Sequence, residues 1–180
     1  PIGPIAGITP FNFPLNLVCH KVAPALAGGN TISIKPATAT PLSAITLGEI
    51  FLENGILPGI FNVIPCSSKT ADKLVTDFRI KMITFTGSAD VGWKIKTRAG
   101  KKKVCLELGG NAAVVVEPDC DMETAVLRSV MGGFAYSGQV CISVQRIFVQ
   151  ENVFDEFTDS FLREIKKLTL GDPLSEKTPP

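Results

Sequence analysis

Histidine is almost absent from this chain, since His20 is the only one among its 180 residues. A histidine-rich metal centre is therefore excluded. The five cysteines include no C-x-x-C pair and no spacing typical of metal ligands, so we predict that no metal is bound. Because their number is odd and they lie in apolar segments, we expect a reducing compartment and a cytoplasmic protein.

An excess of charge of one sign is also missing. The chain has 18 basic and 17 acidic residues, a net charge of +1, which gives no sign of a nucleic-acid partner or of an acidic membrane surface. No apolar stretch is long enough for a membrane span, and the N-terminus lacks a basic region followed by an apolar segment. We therefore expect a soluble protein with neither nucleic acid nor membrane as a partner.

What the sequence does contain is a regular alternation of strand-like and helix-like segments. The predicted strands are residues 31–35, 60–64, 81–86, 104–108, 112–116 and 142–149, and the predicted helices are residues 15–27, 41–54, 70–78, 89–98, 121–136 and 153–167. This alternation, with nearly continuous apolar strands, predicts an α/β protein in which helices cover both faces of parallel sheets. Gly109 and Gly110, two glycines between two strands, are the best candidate for a domain boundary.

The segment Phe85-Thr86-Gly87-Ser88 lies where a predicted strand ends and a helix begins. Free backbone N–H groups, the helix dipole and a serine hydroxyl converge on an anion at such a position. Taken alone, Ser88 is better explained as a simple N-cap. The chain has neither a G-x-G-x-x-G nor a Walker motif, so these two nucleotide signatures lend no support.

Two charged residues accompany predicted strands. Lys35 ends one strand, where a lysine reaches into the ligand crevice or stays on the surface. Glu107 lies in an apolar strand between Leu106 and Leu108, and we expect it to be partly buried. Because burial raises the pKa of a carboxyl group towards the range of a general base, Glu107 is a candidate for that role.

Two further polar residues lie at or near the first predicted helix. Asn12 belongs to the rigid bend TPFNFP, where an asparagine is a turn residue or donates its amide N–H to an oxyanion. His20 lies inside an apolar helix, and we expect it to be packed in the core rather than catalytic.

Cys141 follows Gly138 and Gln139 on a predicted tight turn that leads into a strand. A cysteine in an apolar chain is usually an inert buried group, whereas one on such a turn is placed to face a cleft. The preceding helix presents its C-terminal end, which disfavours a thiolate. Any activation of this thiol must therefore come from elsewhere.

Taken together, these residues resemble the aldehyde dehydrogenase superfamily. The resemblance covers essentially the whole chain and is carried by five motifs in the family's order: TPFNFP (9–14), ISIKPA (32–37), FTGS (85–88), LELGG (106–110) and GQVC (138–141). It implies a Rossmann-like cofactor domain over residues 1–107 and the start of a catalytic domain over residues 108–180. It also implies a piece of a longer enzyme, because the E-x-F-G-P segment of the family is missing.

The resemblance assigns roles to individual residues. Cys141 matches the nucleophile, Glu107 the general base that activates water, and Asn12 the side-chain donor to the oxyanion. Ser88 matches the contact to the pyrophosphate and Lys35 the contact to the adenosine ribose. The further cofactor contacts that it implies are Thr9, Pro10, Phe11, Thr38, Gly87 and Val91.

The implied reaction is the NAD(P)-dependent oxidation of a small aldehyde to a carboxylic acid through a cysteine thioester. NADP is the favoured cofactor, because Thr38 occupies a position where NAD-preferring relatives often carry a glutamate. We expect this piece alone to be inactive and the full-length enzyme to be a homo-oligomer. The alternatives are a cysteine-dependent hydrolase or acyltransferase, which lacks a suitable histidine base, and a non-catalytic binding relative.

Overall fold

The computed structural model describes residues 1–176 and 178, which form two compact units that follow one another in sequence at Gly109 and Gly110. The domain boundary predicted after residue 107 lies close to this division. The assignment of the two parts to cofactor binding and to catalysis stays a prediction. In the described part of the chain, no helix combines the length and apolar character that crossing a membrane requires.

The first unit is built on five parallel strands in the order β3-β2-β1-β4-β5. The strands are β1 (Ile5–Ile8), β2 (Ile32–Lys35), β3 (Phe61–Val63), β4 (Met82–Thr86) and β5 (Lys103–Glu107). The helices are α1 (Asn16–Ala27), α2 (Leu42–Glu53), α3 (Ser68–Thr76) and α4 (Ala89–Arg98). Because all five strands run in the same direction, their carboxyl ends share one edge of the sheet.

The sequence pattern does not predict β1, although β1 is the central strand of the sheet. It has only four residues, follows Pro4 and contains Gly7, and each of these features weakens a strand signal. The glycine is needed for packing, because a Cβ at position 7 would collide with the side chain of Ile34. Tertiary contacts therefore make a strand of a segment whose local pattern is weak.

Helices cover both faces of this sheet, as the sequence predicts. On one face, Val18 of α1 and Ala44 of α2 pack with Ile34 in one buried cluster. On the other face, Val75 of α3 and Ile95 of α4 pack with side chains of β4 in a second cluster. Successive residues of a strand point to opposite faces, and β4 accordingly contributes to both clusters.

The second unit contains a two-stranded parallel sheet with two helices. Its elements are β6 (Ala112–Val116), α5 (Met122–Phe134), a 3₁₀ turn (Ala135–Gly138), β7 (Val144–Val149), a second 3₁₀ turn (Glu151–Val153) and α6 (Phe154–Ile165). Val116, Val126 and Phe157 form its buried core. Phe157 also stacks on Phe161 within α6, with ring centroids 5.5 Å apart.

Candidate active site

A cavity of about 600 Å³ lies at the carboxyl ends of β1, β2 and β4 in the first unit. The eight residues predicted to contact a cofactor all line it: Thr9, Pro10, Phe11, Lys35, Thr38, Gly87, Ser88 and Val91. Segments far apart in sequence meet here because neighbouring parallel strands end at the same edge. The contact of these residues with a cofactor stays a prediction.

The side walls of the cavity come from one face of α3 and one face of α4. The lining residues are Ser68, Ala71, Asp72 and Val75 on α3, and Val91, Lys94, Ile95 and Arg98 on α4. Spacings of three and four residues place each set on a single helical face. Arg98 pairs with Asp72 through two hydrogen bonds, one of them 2.6 Å from Nη2 to Oδ2, and so links the two helices. Apart from Val91, the local sequence does not mark these residues as cavity residues, although their helical spacing is a usable signal.

Two glycines allow close packing around Phe85 beneath the cavity. A Cβ at Gly87 would lie 2.5 Å from Cζ of Phe85, and a Cβ at Gly92 would lie 2.5 Å from Cδ2 of Leu108. Neither glycine has a positive φ, so the requirement is for space rather than for a special backbone conformation. Any side chain at either position would displace part of the cavity floor.

The amino end of α4 offers hydrogen-bond donors to the cavity. Ser88 is the N-cap residue, and its hydroxyl makes no capping bond within the described residues. The backbone N–H of the preceding residue, Gly87, is already used, because it donates to the carbonyl oxygen of Glu107 at 3.0 Å. Because the first N–H groups of a helix lack intrahelical partners and carry partial positive charge, this end suits an anion.

Two buried polar residues face the same cavity. Thr9 is 4% exposed and Lys35 is 6% exposed, so Lys35 lines the crevice rather than lying on the surface. The Oγ1 of Thr9 has no hydrogen-bond partner among the described residues. A buried hydroxyl without a partner is costly, and a polar ligand in the cavity would satisfy it.

Asn12 and Glu107, two of the predicted catalytic residues, both belong to the first unit. Asn12 is half-buried on the bend before α1. Glu107 is exposed at the end of β5, so the prediction that it is partly buried is wrong. The reason is that β5 is an edge strand: Leu106 points to the face that α3 and α4 cover, whereas Glu107 points to the opposite face, whose buried cluster includes no residue of β5.

Lys21 is a buried polar residue that no sequence motif indicates. It is 5% exposed, and its Nζ donates to the Oγ1 atoms of Thr86 at 2.7 Å and Thr84 at 3.2 Å. Burial lowers the pKa of its amine, while attraction to Cys105 and to Glu107 acts in the opposite direction. The buried amine of Lys21 therefore lies on the sheet face that carries the candidate base, held by two threonine hydroxyls.

His20 is exposed, so the prediction that it packs in the core is wrong. The buried face of α1 consists of Val18, Lys21, Val22 and Ala25. The neighbouring position 20 points away from that face, because consecutive helix residues are about 100° apart. Because most residues of α1 are apolar, the sequence does not show which side of the helix is buried.

Cys141 lies in the second unit on a turn between α5 and β7, and its side chain is exposed. The turn is longer than predicted, because β7 begins at Val144 rather than at residue 142. It follows Tyr136, Ser137 and Gly138, which have φ values of 57°, 55° and 72°. Two consecutive non-glycine residues in the left-handed region are rare and strained, so the chain is sharply redirected just before the thiol.

Comparison with known proteins places this fold and these residues in a family. The model of the aldehyde dehydrogenase family matches residues 1–179. The 3-sulfolactaldehyde dehydrogenase of Priestia aryabhattai is 44% identical over 99% of this chain and 38% of its own length.

Two solved structures are similar to this chain as well. Aldehyde dehydrogenase 21 from Physcomitrella patens, solved with the reaction product succinate, is 49% identical with a TM-score of 0.92, over 99% of this chain and 37% of its own. The glyceraldehyde-3-phosphate dehydrogenase GapN from Methanocaldococcus jannaschii, solved with NADP, is 43% identical with a TM-score of 0.93, over 99% of this chain and 40% of its own.

The chain belongs to the aldehyde dehydrogenase family. The resemblance carried by the five motifs is therefore confirmed, together with the α/β Rossmann-like fold. The chain spans 38% of the length of the first curated relatives that it matches.

Proposed function

We propose that this chain forms part of an enzyme that oxidises a small aldehyde to a carboxylic acid with NADP or NAD. The observation that carries the proposal is the cavity in the first unit, which all eight predicted cofactor residues line. It has the anion-binding helix end, the buried cation and the apolar walls that a dinucleotide requires. The relatives named above include dehydrogenases of several aldehydes.

The residues of the cavity fit a dinucleotide in their chemistry. The N-terminus of α4 and the Ser88 hydroxyl would bind the pyrophosphate, Lys35 would bind the adenosine ribose, and Val91 and Ile95 offer apolar surface to the adenine. The unsatisfied Oγ1 of Thr9 is available to a polar group of the ligand. When bound, the nicotinamide accepts the hydride from the aldehyde carbon.

Cys141 supplies the nucleophile in this proposal. Its thiolate forms a bond to the aldehyde carbon, and the carbonyl oxygen becomes an alkoxide. The side-chain amide of Asn12 donates a hydrogen bond to this oxygen and stabilises its charge. Loss of hydride from the same carbon then leaves a thioester on Cys141. The exposure of Cys141 supports this role, because a buried thiol would not meet a substrate.

Glu107 completes the reaction as the general base. It takes a proton from water, the resulting hydroxide attacks the thioester carbon, and the Cys141 thiolate leaves as the carboxylic acid is formed. The exposed position of Glu107 at the end of β5 gives it access to water. Hydrolysis therefore needs no second nucleophile from the protein.

The charges around the cavity favour NADP over NAD. The lining includes Lys35, Lys94 and Arg98 but a single carboxylate, Asp72, which is paired with Arg98. The two lysines are left to attract a phosphate, and Thr38 offers a hydroxyl where a carboxylate would repel it. We therefore expect NADP to be preferred and NAD to be accepted.

Replacement of the proposed nucleophile tests the function. In the full-length protein, Cys141→Ser should abolish aldehyde-dependent reduction of NADP, followed by the absorbance of NADPH, while the Kd for NADP stays the same. A serine hydroxyl is far less ionised than a thiol near neutral pH. The matched control is Cys105→Ser, because Cys105 is also exposed and free. Equal activity in the two variants would remove Cys141 from the mechanism.

We expect the full-length protein to act as a homo-oligomer in the cytoplasm. The five free cysteines of the described residues suit a reducing compartment. The oligomeric state is implied by the resemblance to the family, and size-exclusion chromatography with light scattering measures it.

A further inference from the structure

The turn that carries Cys141 is packed between two glycine-containing segments of the second unit. One is Gly110, at the entrance to β6, and the other is the last turn of α5, which contains Gly132 and Gly133. Each approaches the segment from Cys141 to Val144 more closely than a residue with a side chain allows. Close packing at these glycines therefore sets where the turn lies.

Gly110 makes the closest of these approaches to Cys141 itself. A Cβ at position 110 would lie 2.9 Å from the carbonyl oxygen of Cys141, a backbone atom that no rotamer change moves away. The φ of Gly110 is not positive, so a left-handed backbone is not what excludes an alanine here. The contact with Cys141 is thus the reason why a side chain is excluded here.

Gly109, the preceding residue, provides the contrast. A Cβ at position 109 would meet no heavy atom of the chain within 4 Å, and its φ is not positive either. Of the two adjacent glycines, only Gly110 would bring a Cβ close to the Cys141 carbonyl. A comparison of the same substitution at the two positions isolates that contact.

The other side of the turn is held by the end of α5. A Cβ at Gly132 would lie 2.6 Å from Cγ2 of Val144, and the hydroxyl of Ser143 donates to the carbonyl oxygen of Gly133 at 3.4 Å. Ser143 is 4% exposed, so this end of the turn is buried. If a side chain at position 110 displaced the turn, the close packing of α5 on its other side would limit the movement.

We propose that Gly110 is a positioning residue for Cys141, which fixes the place of the nucleophile by contact with its carbonyl group. This role rests on the function proposed above, because the position of Cys141 matters for catalysis only if Cys141 is the nucleophile. Gly110 itself does not meet the reacting atoms. It acts by lacking a Cβ, which lets the Cys141 turn lie against the strand entrance.

A side chain at position 110 that displaced Cys141 would weaken the hydrogen bonds of the turn. The N–H of Gln139 donates to the Tyr136 carbonyl at 3.1 Å, and the N–H of Ser143 donates to the Val140 carbonyl at 3.0 Å. Because Tyr136 and Ser137 are already strained, displacement of Cys141 is expected to break the weaker of these bonds. A nucleophile misplaced by 1 Å loses about 100-fold in rate, so a shift of a few tenths of an ångström predicts a loss of roughly threefold to tenfold.

Hydrogen–deuterium exchange of the full-length protein, without aldehyde, tests the structural step without any catalysis. In Gly110→Ala, the peptide covering residues 138–144 should exchange at least about threefold faster than in the wild type. In Gly109→Ala it should exchange at the wild-type rate. The peptide covering α6, in the same unit, serves as the reference for general loosening and should stay unchanged in both variants.

Kinetics of the full-length enzyme test the consequence for the nucleophile. Gly110→Ala should lower kcat by roughly threefold to tenfold and leave the KM for NADP unchanged, whereas Gly109→Ala should do neither. Equal exchange at residues 138–144 in the two variants would overturn the proposal. So would faster exchange in α6 by the same factor, because Gly110 would then support the whole unit.

The outcome for Gly110 is separable from the outcome for the proposed function. Faster exchange confined to the turn, together with full activity of Cys141→Ser, would support the packing role of Gly110 but reject Cys141 as the nucleophile. Unchanged exchange in Gly110→Ala, together with an inactive Cys141→Ser, would keep the nucleophile and overturn the role of Gly110.

Discussion

Access to solvent distinguishes the three side chains to which we assign the chemistry. Asn12 is half-buried, whereas Glu107 and Cys141 are exposed. An oxyanion donor works best where water does not compete for its N–H. A base that activates water, and a nucleophile that meets a diffusing substrate, both need access. The observed exposures therefore suit the proposed division of roles.

Glu107→Gln should separate the two halves of the reaction. The amide cannot take a proton from water, so deacylation slows by roughly 10²–10⁴-fold while hydride transfer continues. In rapid mixing of the full-length enzyme with aldehyde and NADP, one equivalent of NADPH should appear before turnover stalls.

The control for this substitution is Glu53→Gln, because Glu53 is also exposed in the first unit but lies at the end of α2, outside the cavity lining. It should behave as the wild type. If Glu107→Gln slows the first turnover as much as the later ones, Glu107 acts before deacylation.

Thr38→Glu should shift cofactor preference towards NAD. Thr38 is exposed and lines the cavity, and a carboxylate there would repel a 2′-phosphate. Two unit charges ~4 Å apart interact by roughly 4 kcal/mol at an effective dielectric of 20, and water and salt reduce this value. The measurement is the ratio of kcat/KM for NADP to that for NAD. Thr46→Glu, an exposed position on α2 outside the cavity lining, should leave the ratio unchanged.

Lys21 links helix α1 to strand β4 and makes the stability of this contact depend on pH. Burial holds the pKa of its amine below the ordinary value of 10.5. Between the lowered pKa and 10.5 the unfolded chain binds more protons than the folded chain, so stability rises with pH across this window. Below the window, the full cost of burying the charged amine is present.

Lys21→Met removes this titration. Urea unfolding of the chain at pH 7 and pH 10 should show that the wild type gains stability relative to Lys21→Met as the pH rises. Lys103→Met, at an exposed position of β5, should show no such change relative to the wild type. A difference between wild type and Lys21→Met that is the same at both pH values would contradict the burial of a titrating amine.

Secondary structure elements differ in how far their own sequence predicts them. Helix α4 is observed at Ala89–Arg98, where its serine cap, its apolar spacing and Gly100 predict it. Strand β1 has no comparable signal and forms because its neighbours β2 and β4 pair with it on both sides. Long periodic segments are therefore predictable, and a short central strand is not.

The described residues expose large apolar side chains and two open sheet edges. Phe78 is 83% exposed and Ile142 is 74% exposed, and the sheet edges at β3 and β5 have no strand beyond them in the described residues. Exposed apolar side chains and open strand edges mark surfaces that bind further protein. The relatives are also much longer, since the chain spans 38% of their length.

The isolated 180-residue chain should therefore bind NADP but not oxidise aldehydes. The cavity lined by the eight predicted cofactor residues predicts binding, and Trp93 on α4, the only tryptophan of the sequence, should report it through a change in fluorescence. We predict no turnover, because the chain spans only 38% of the length of the curated relatives named above. Absorbance of NADPH after addition of aldehyde is the measurement, with the full-length enzyme as the positive control. Turnover by the chain alone would show that the remaining length of the relatives is dispensable.

Local pattern was sufficient for the α/β class, for most helices and strands, and for the motifs that carry the family resemblance. These properties depend on dihedral preferences and apolar spacing within about four to fifteen residues. Burial is a different property, because it depends on which distant segments meet. Lys21 is buried through bonds to residues 63 and 65 positions away, Glu107 is exposed because β5 ends the sheet, and His20 points away from the packed face of α1. Only the tertiary contacts decide whether these three side chains are buried or exposed, because a local pattern carries no information about partners so far along the chain.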